Sequence, residues 1–180
     1  VAAELAPLKM ERAVFQTQLT EEPAGPEGRD AVSFTVATNP GAPAGPLGKI
    51  ASGGELSRFL LALKVCLTQS QSGLTLIFDE IDRGVGGATA DAVGRRLKAL
   101  AAEGQVLVVT HSPQVAARGS HHWLVSKSDA DPNAGTSVQT SVDALGEKER
   151  KEEIARMLAG AQITDEARAA ADSLLEGAGP

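Results

Sequence analysis

A chain of 180 residues with 42% hydrophobic content suits one globular domain or a large part of one. A formal net charge of −6 excludes a uniformly basic nucleic-acid glove, so DNA contact would need a local patch; aromatics at 3% argue against base-stacking platforms. The single cysteine, Cys66, has no internal disulfide partner, and neither a signal peptide nor a bilayer-length apolar run is present, so the expectation is a reducing, cytoplasmic setting with no membrane.

Residues 1–9 are Ala/Leu-rich up to Pro7 and read as the tail of a helix. Ala13, Phe15, Thr17 and Leu19 alternate with Val14, Gln16 and Gln18, which predicts a strand. Val32, Phe34 and Val36 alternate with Ser33 and Thr35 and predict a second. The Pro/Gly/Glu-rich residues 21–28 between them are the expected turn of an antiparallel hairpin. Residues 39–48 form a Pro/Gly loop ending in Gly48-Lys49. It is not a phosphate-binding P-loop: Pro43 stands where the first glycine is needed, and Ile50 where a hydroxyl is needed.

Residues 50–68 carry Leu56, Phe59, Leu60, Leu63 and Leu67 at helical spacing. Ser52 suits the N-cap and Glu55 the third position of a capping box. Gly53 and Gly54 cost helix propensity, yet they leave N–H groups open to close approach, as at phosphate-holding helix tips. By itself this stretch is also a plain capped amphipathic helix.

Leu74 to Phe78 is a continuous apolar run, expected as a strand buried on both faces, and Asp79 and Glu80 end it. Gly84, Gly86 and Gly87 break the chain; Val93, Leu97 and Leu100 then predict a helix of about three turns, stopped by Gly104. Arg95, Arg96 and Lys98 read as its solvated face. Val106 to Val109 predicts another buried strand, and Ser112-Pro113 a helix start. Strand, helix, strand, helix in this order implies a parallel sheet with crossover helices.

Residues 121–127 and 136–142 read as two strands around the turn DADPNAG. His121 and His122 are taken as strand residues, since two adjacent histidines make a poor metal site. Residues 147–158 predict a charged helix with Ile154, Met157 and Leu158 inward and Gly160 as its stop. Thr164 caps a last helix, with Asp165 and Glu166 in the first turn, where the helix dipole favours them. No repeat and no second domain is evident.

SGGE at 52–55, LTLIFDEID at 74–82 and VLVVTHS at 106–112 together resemble the second half of an ABC-type ATPase head. They stand as signature motif, Walker B strand with D-loop, and switch histidine. The longer runs IASGGELSRFLLALK, FDEIDRGVGG, VLVVTHSPQVAA, HHWLVSK and EEIARMLAG narrow the resemblance to the RecN family of SMC-like DNA repair ATPases, over nearly the whole chain. Arg83 stands where that family's pattern usually has threonine.

The resemblance implies an α/β fold. It would be the C-terminal lobe of an ABC/SMC-type P-loop ATPase head, with a mostly parallel central sheet, flanking helices and an antiparallel hairpin. Residues 1–180 would be one head portion, residues 1–9 the end of a coiled-coil helix, and the Walker A lobe would lie outside this chain. ATP and Mg²⁺ are the implied cofactors. Asp79 would hold the metal, since hard oxygen ligands suit it, and Glu80 would serve as general base. His111 would touch the γ-phosphate. Ser52, Gly53, Gly54 and Glu55 would bind ATP held by a second head, and Asp82 would cross to that head. The implied partners are the N-terminal Walker A lobe of the same protein, a second identical head, and DNA, in a nucleoid-associated cytoplasmic setting. This portion alone would be catalytically incomplete and would expose apolar sheet surface. Two other readings are open: an ATP-gated DNA tether with little turnover, and an ABC transporter nucleotide-binding subunit.

Overall fold

The alternating N-terminal stretches form a longer hairpin than their pattern predicts. In the computed structural model β1 (Val14–Gly25) pairs antiparallel with β2 (Gly28–Ala37), from Val14↔Ala37 to Gly25↔Gly28. Residues 21–25, expected as turn, continue the strand with a register shift between Glu21 and Gly25. The Arg29 guanidinium meets Glu21 at 2.5 Å across the ladder. The structure describes residues 1–38, 41, 43–49, 53–68, 73–130, 137–160 and 162–177. These fall into two compact units, Val1–Thr110 and His111–Pro180, where the sequence suggested one.

In the first unit the hairpin packs on α2 (Gly53–Thr68): the Phe15 ring lies 5.3 Å from Phe59 and 5.5 Å from Phe34. From α2, Phe59, Leu61, Ala62 and Val65 are buried, while Leu60 and Leu67, expected inward, are exposed, Leu67 to 70%. The run FLLALKVCL is apolar around most of the helix, so spacing alone does not select the packed face. A short strand, β3 (Gly45–Pro46), pairs with β2. The first residues form one turn of helix, α1 (Ala2–Leu5), and a 3₁₀ turn, Ala6–Leu8. Leu5, Leu8 and Met10 are buried there, and Glu4 meets Arg96 at 2.5 Å.

β4 (Thr75–Asp79) and β5 (Gln105–Val109) pair in parallel, from Thr75↔Gln105 to Asp79↔Val109, joined through α3 (Gly87–Ala101). That is the expected crossover, and α3 buries Ala90, Ala92, Val93, Leu97 and Leu100. The expectation of strands buried on both faces does not hold. Phe78 is 2% exposed but Ile77 is 63% and Val109 57%. Residues paired in register share a face, so the side carrying Phe78 packs inward and the side carrying Ile77 and Val109 is open. Among the described residues parallel pairing is confined to these two strands. The fold is α/β as implied, with small parallel and antiparallel sheets rather than a mostly parallel one.

The second unit begins with α4 (Pro113–Ala116), a single turn. β6 (Trp123–Ala130) and β7 (Ser137–Ala144) pair antiparallel, from Trp123↔Ala144 to Ala130↔Ser137. α5 (Glu147–Ala159) and α6 (Asp165–Glu176) follow. Ala117, Ile154, Ala155, Ala167 and Ala171 form the core. Thr164 caps α6 as expected, its hydroxyl accepting from the Ala167 N–H at 3.2 Å. Leu158, expected inward, is partly exposed, and Ala155 is buried beside Ile154. His121 and His122 precede β6 instead of lying in it. His122 is half-buried; burial lowers its pKa, the Arg150 charge adds to the effect, and Glu153 opposes it.

Candidate functional site

β4 delivers two carboxylates to its C-terminal end. Asp79 is its last residue. Glu80 follows with φ of 47°, in the left-handed region that non-glycine residues seldom enter. Main-chain hydrogen bonds hold it there: the Glu80 N–H donates to the Val109 carbonyl at 2.9 Å, and the Glu80 carbonyl accepts from the Arg83 N–H at 2.9 Å. A second turn bond, Val85 N–H to the Asp82 carbonyl at 3.1 Å, continues the loop. Such a conformation costs on the order of 1–3 kcal/mol and tends to collect at functional positions. Both carboxylates are exposed.

Gly53 and Gly54 open α2 and differ in surroundings. A Cβ on Gly54 would meet Val85 Cγ1 at 3.1 Å, the Arg83 carbonyl at 3.3 Å and the Gly84 carbonyl at 3.4 Å. A Cβ on Gly53 would meet nothing within 4 Å. Gly54 therefore lets the helix tip pack against the loop that follows Glu80, and Gly53 faces open space. An open cleft of about 550 Å³ results, lined by Gly53, Gly54, Ser57, Asp79, Glu80, Arg83 and Gly84. The helix tip and the strand end thus share one cleft of the first unit.

Of the other expected site residues, the described ones, Glu55, Asp82 and His111, are not among those lining the cleft. Ser52 lies outside the described residues. Glu55 is half-buried in α2 and does not line the cleft. His111 is exposed and begins the second unit, two positions beyond the end of β5. Asp82 is only 3% exposed. One of its carboxylate oxygens accepts from the Thr110 hydroxyl, and the other has no partner among the described residues. In this conformation Asp82 is an internal strut between the loop and the end of β5. Thr110→Val would leave that carboxylate buried with the hydroxyl gone, a loss of about 1–3 kcal/mol. Denaturant unfolding of this chain reads it, and an unchanged midpoint would remove the strut.

Ser57, Arg83 and Gly84 line the cleft without having been picked out as site residues. For Ser57 a trace was available, since it lies four positions after Gly53 on one helix face. No group of three or more His, Cys, Asp or Glu poised around a metal occurs among the described residues. Asp79 alone still fits Mg²⁺, which is commonly held by one or two carboxylates together with substrate phosphates and water.

No family model matches the chain. It is 51% identical, over 84% of its length, to the DNA repair protein RecN of Xylella fastidiosa strain 9a5c. Identity is 45% over 96% of the chain with RecN of Rickettsia conorii, and 45% over 98% with RecN of Streptomyces coelicolor. The chain is RecN-like. It spans 26%, 31% and 32% of those three relatives, matching their C-terminal part. Among solved structures, the RecN-like chain resembles an Smc head domain with coiled coil from Pyrococcus yayanosii. The TM-score is 0.63 at 20% identity, covering 85% of this chain and 27% of that one. An SMC ATPase chain described for ATP-driven dimerization and DNA-stimulated activation matches with TM-score 0.57 at 16% identity, over 89% of this chain and 92% of that one. These likenesses show the fold alone: that of an SMC head.

Proposed function

We propose that the RecN-like chain is the C-terminal lobe of an ATP-hydrolysing, SMC-like head acting in DNA double-strand break repair and recombination. One observation carries the reading. A glycine-opened helix tip and a strand-end carboxylate pair share one cleft mouth, in a chain about half identical to RecN.

In this reading the rest of a longer chain supplies the Walker A phosphate cradle and adds strands to the sheet. The open face of Ile77 and Val109 supports that, because an apolar surface left in water calls for a cover. Two heads then meet face to face. A twofold interface uses the same patch on both copies, so each helix tip is offered to the nucleotide of the other head, while the strand-end carboxylates serve the nucleotide of their own head. The Gly53 N–H and the positive helix end, with the hydroxyl of Ser52 that precedes them in sequence, meet the γ-phosphate of the other head's nucleotide. Mg²⁺, when bound, neutralises phosphate charge. Asp79 supplies a carboxylate oxygen to hold it. At the nucleotide held by its own head, Glu80 accepts the proton of the water that attacks the γ-phosphorus, and the family resemblance assigns His111 to that same phosphate. An exposed carboxylate at Glu80 favours turnover over a tether that does not hydrolyse.

Ser52→Arg in the full-length protein tests the arrangement. Sedimentation is expected to show ATP-dependent dimer in the wild type and only monomer in the variant, while the variant monomer still binds ATP. Loss of ATP binding by the monomer would contradict the assignment across two heads.

A further inference from the structure

We propose that Arg83 is a positioning residue that holds the Glu80 carboxylate toward the cleft. The inference rests on reading Glu80 as the base. Arg83 engages Glu80 twice. Its main-chain N–H donates to the Glu80 carbonyl at 2.9 Å, which closes the turn. Its guanidinium Nη1 then returns to within 3.7 Å of Glu80 Oε2. Between these contacts Glu80 has its left-handed φ of 47°, so the backbone that aims this carboxylate is held by the same four-residue turn.

The charge balance points the same way. Asp79, Glu80 and Arg83 are the charged residues among the described lining of the cleft, so Arg83 is its one described cation. Without that charge, Asp79 would repel the Glu80 carboxylate, and an approaching polyphosphate would repel it further. The Arg83 backbone is also anchored: its carbonyl lies 3.3 Å from where a Gly54 Cβ would be, against the tip of α2. Its side chain is exposed, so the pair can make only a modest contribution.

Steady-state ATP hydrolysis by the full-length protein carrying Arg83→Ala, Arg83→Lys, Glu80→Gln or Arg83→Ala with Glu80→Gln tests this. In Arg83→Ala, kcat is expected to fall about fivefold with KM within about twofold, the scale an exposed ion pair permits. Arg83→Lys should recover more than half of that loss. The double variant should be no slower than Glu80→Gln alone, because a residue acting through Glu80 has nothing left to position. The turn bond is main-chain and the side chain is exposed, so both Arg83 variants should unfold at the wild-type midpoint. An unchanged kcat, a raised KM with kcat intact, a lysine variant no better than alanine, or an additive double variant would each overturn the inference. Wild-type turnover in Glu80→Gln would instead overturn the reading of Glu80 itself.

Discussion

Glu80→Gln in the full-length protein is expected to cut ATP turnover by about a hundredfold or more, while ATP still binds and the ATP-bound dimer accumulates. The amide keeps the size of the carboxylate and can still orient a water, but it cannot take that water's proton. In the proposed reading, binding depends on other groups, the phosphate cradle of the remaining lobe and Asp79, and dimer closure depends on the tip at Gly53. The substitution costs the fold little, because Glu80 is exposed and its side-chain partner Arg83 is a loose one at 3.7 Å. The left-handed backbone at residue 80 is held by main-chain bonds that glutamine keeps. Phosphate release and sedimentation in ATP, measured together, separate the outcomes. Slow release with a persistent dimer supports the base. Wild-type release would remove Glu80 from that role.

How much of this was legible in the sequence depends on what each feature is made of. Periodicity reports a local pattern, so the antiparallel hairpin, the crossover through α3 and the Thr164 cap follow from it directly. Burial reports what packs against a residue, and spacing says little of that. Leu60 and Leu67 sit on an almost wholly apolar helix, and its packed side is chosen by Phe15 and the rest of the unit. Ile77 and Leu76 look alike in LTLIF; only the presence of a layer on one side distinguishes them. The site divides in the same way. Asp79 and Glu80 were legible because a strand end places them. The left-handed turn at Glu80 was not, since no glycine or asparagine announces it. The inward carboxylate of Asp82 was not legible either, because its partner Thr110 is 28 positions away.

The two glycines of the helix tip had the same standing in the sequence, and their surroundings predict opposite consequences for substitution. Gly54→Val would place a branched side chain against Val85 Cγ1 and two loop carbonyls. Overpacking of this kind costs about 1–3 kcal/mol, and relief requires the 83–85 loop to move away from α2. The unfolding midpoint should therefore fall, and turnover should fall with it because Arg83 and the cleft move too. Gly53→Ala meets nothing within 4 Å and has no left-handed φ to lose. Its midpoint should hold or rise slightly, as replacing glycine at a compatible position lowers the entropy of the unfolded chain. If a phosphate of the opposite nucleotide comes up to that backbone N–H, the added methyl stands in its way. ATP-dependent dimerisation should then weaken by about tenfold or more, the ratio that ~1.4 kcal/mol brings. Unfolding curves and sedimentation in ATP on the same two proteins decide it. Lost dimer in a Gly53→Ala protein of undiminished stability cannot be assigned to folding. Full dimerisation in that protein would mean that the helix tip is glycine-rich for Gly54's packing alone, and that the phosphate contact lies elsewhere.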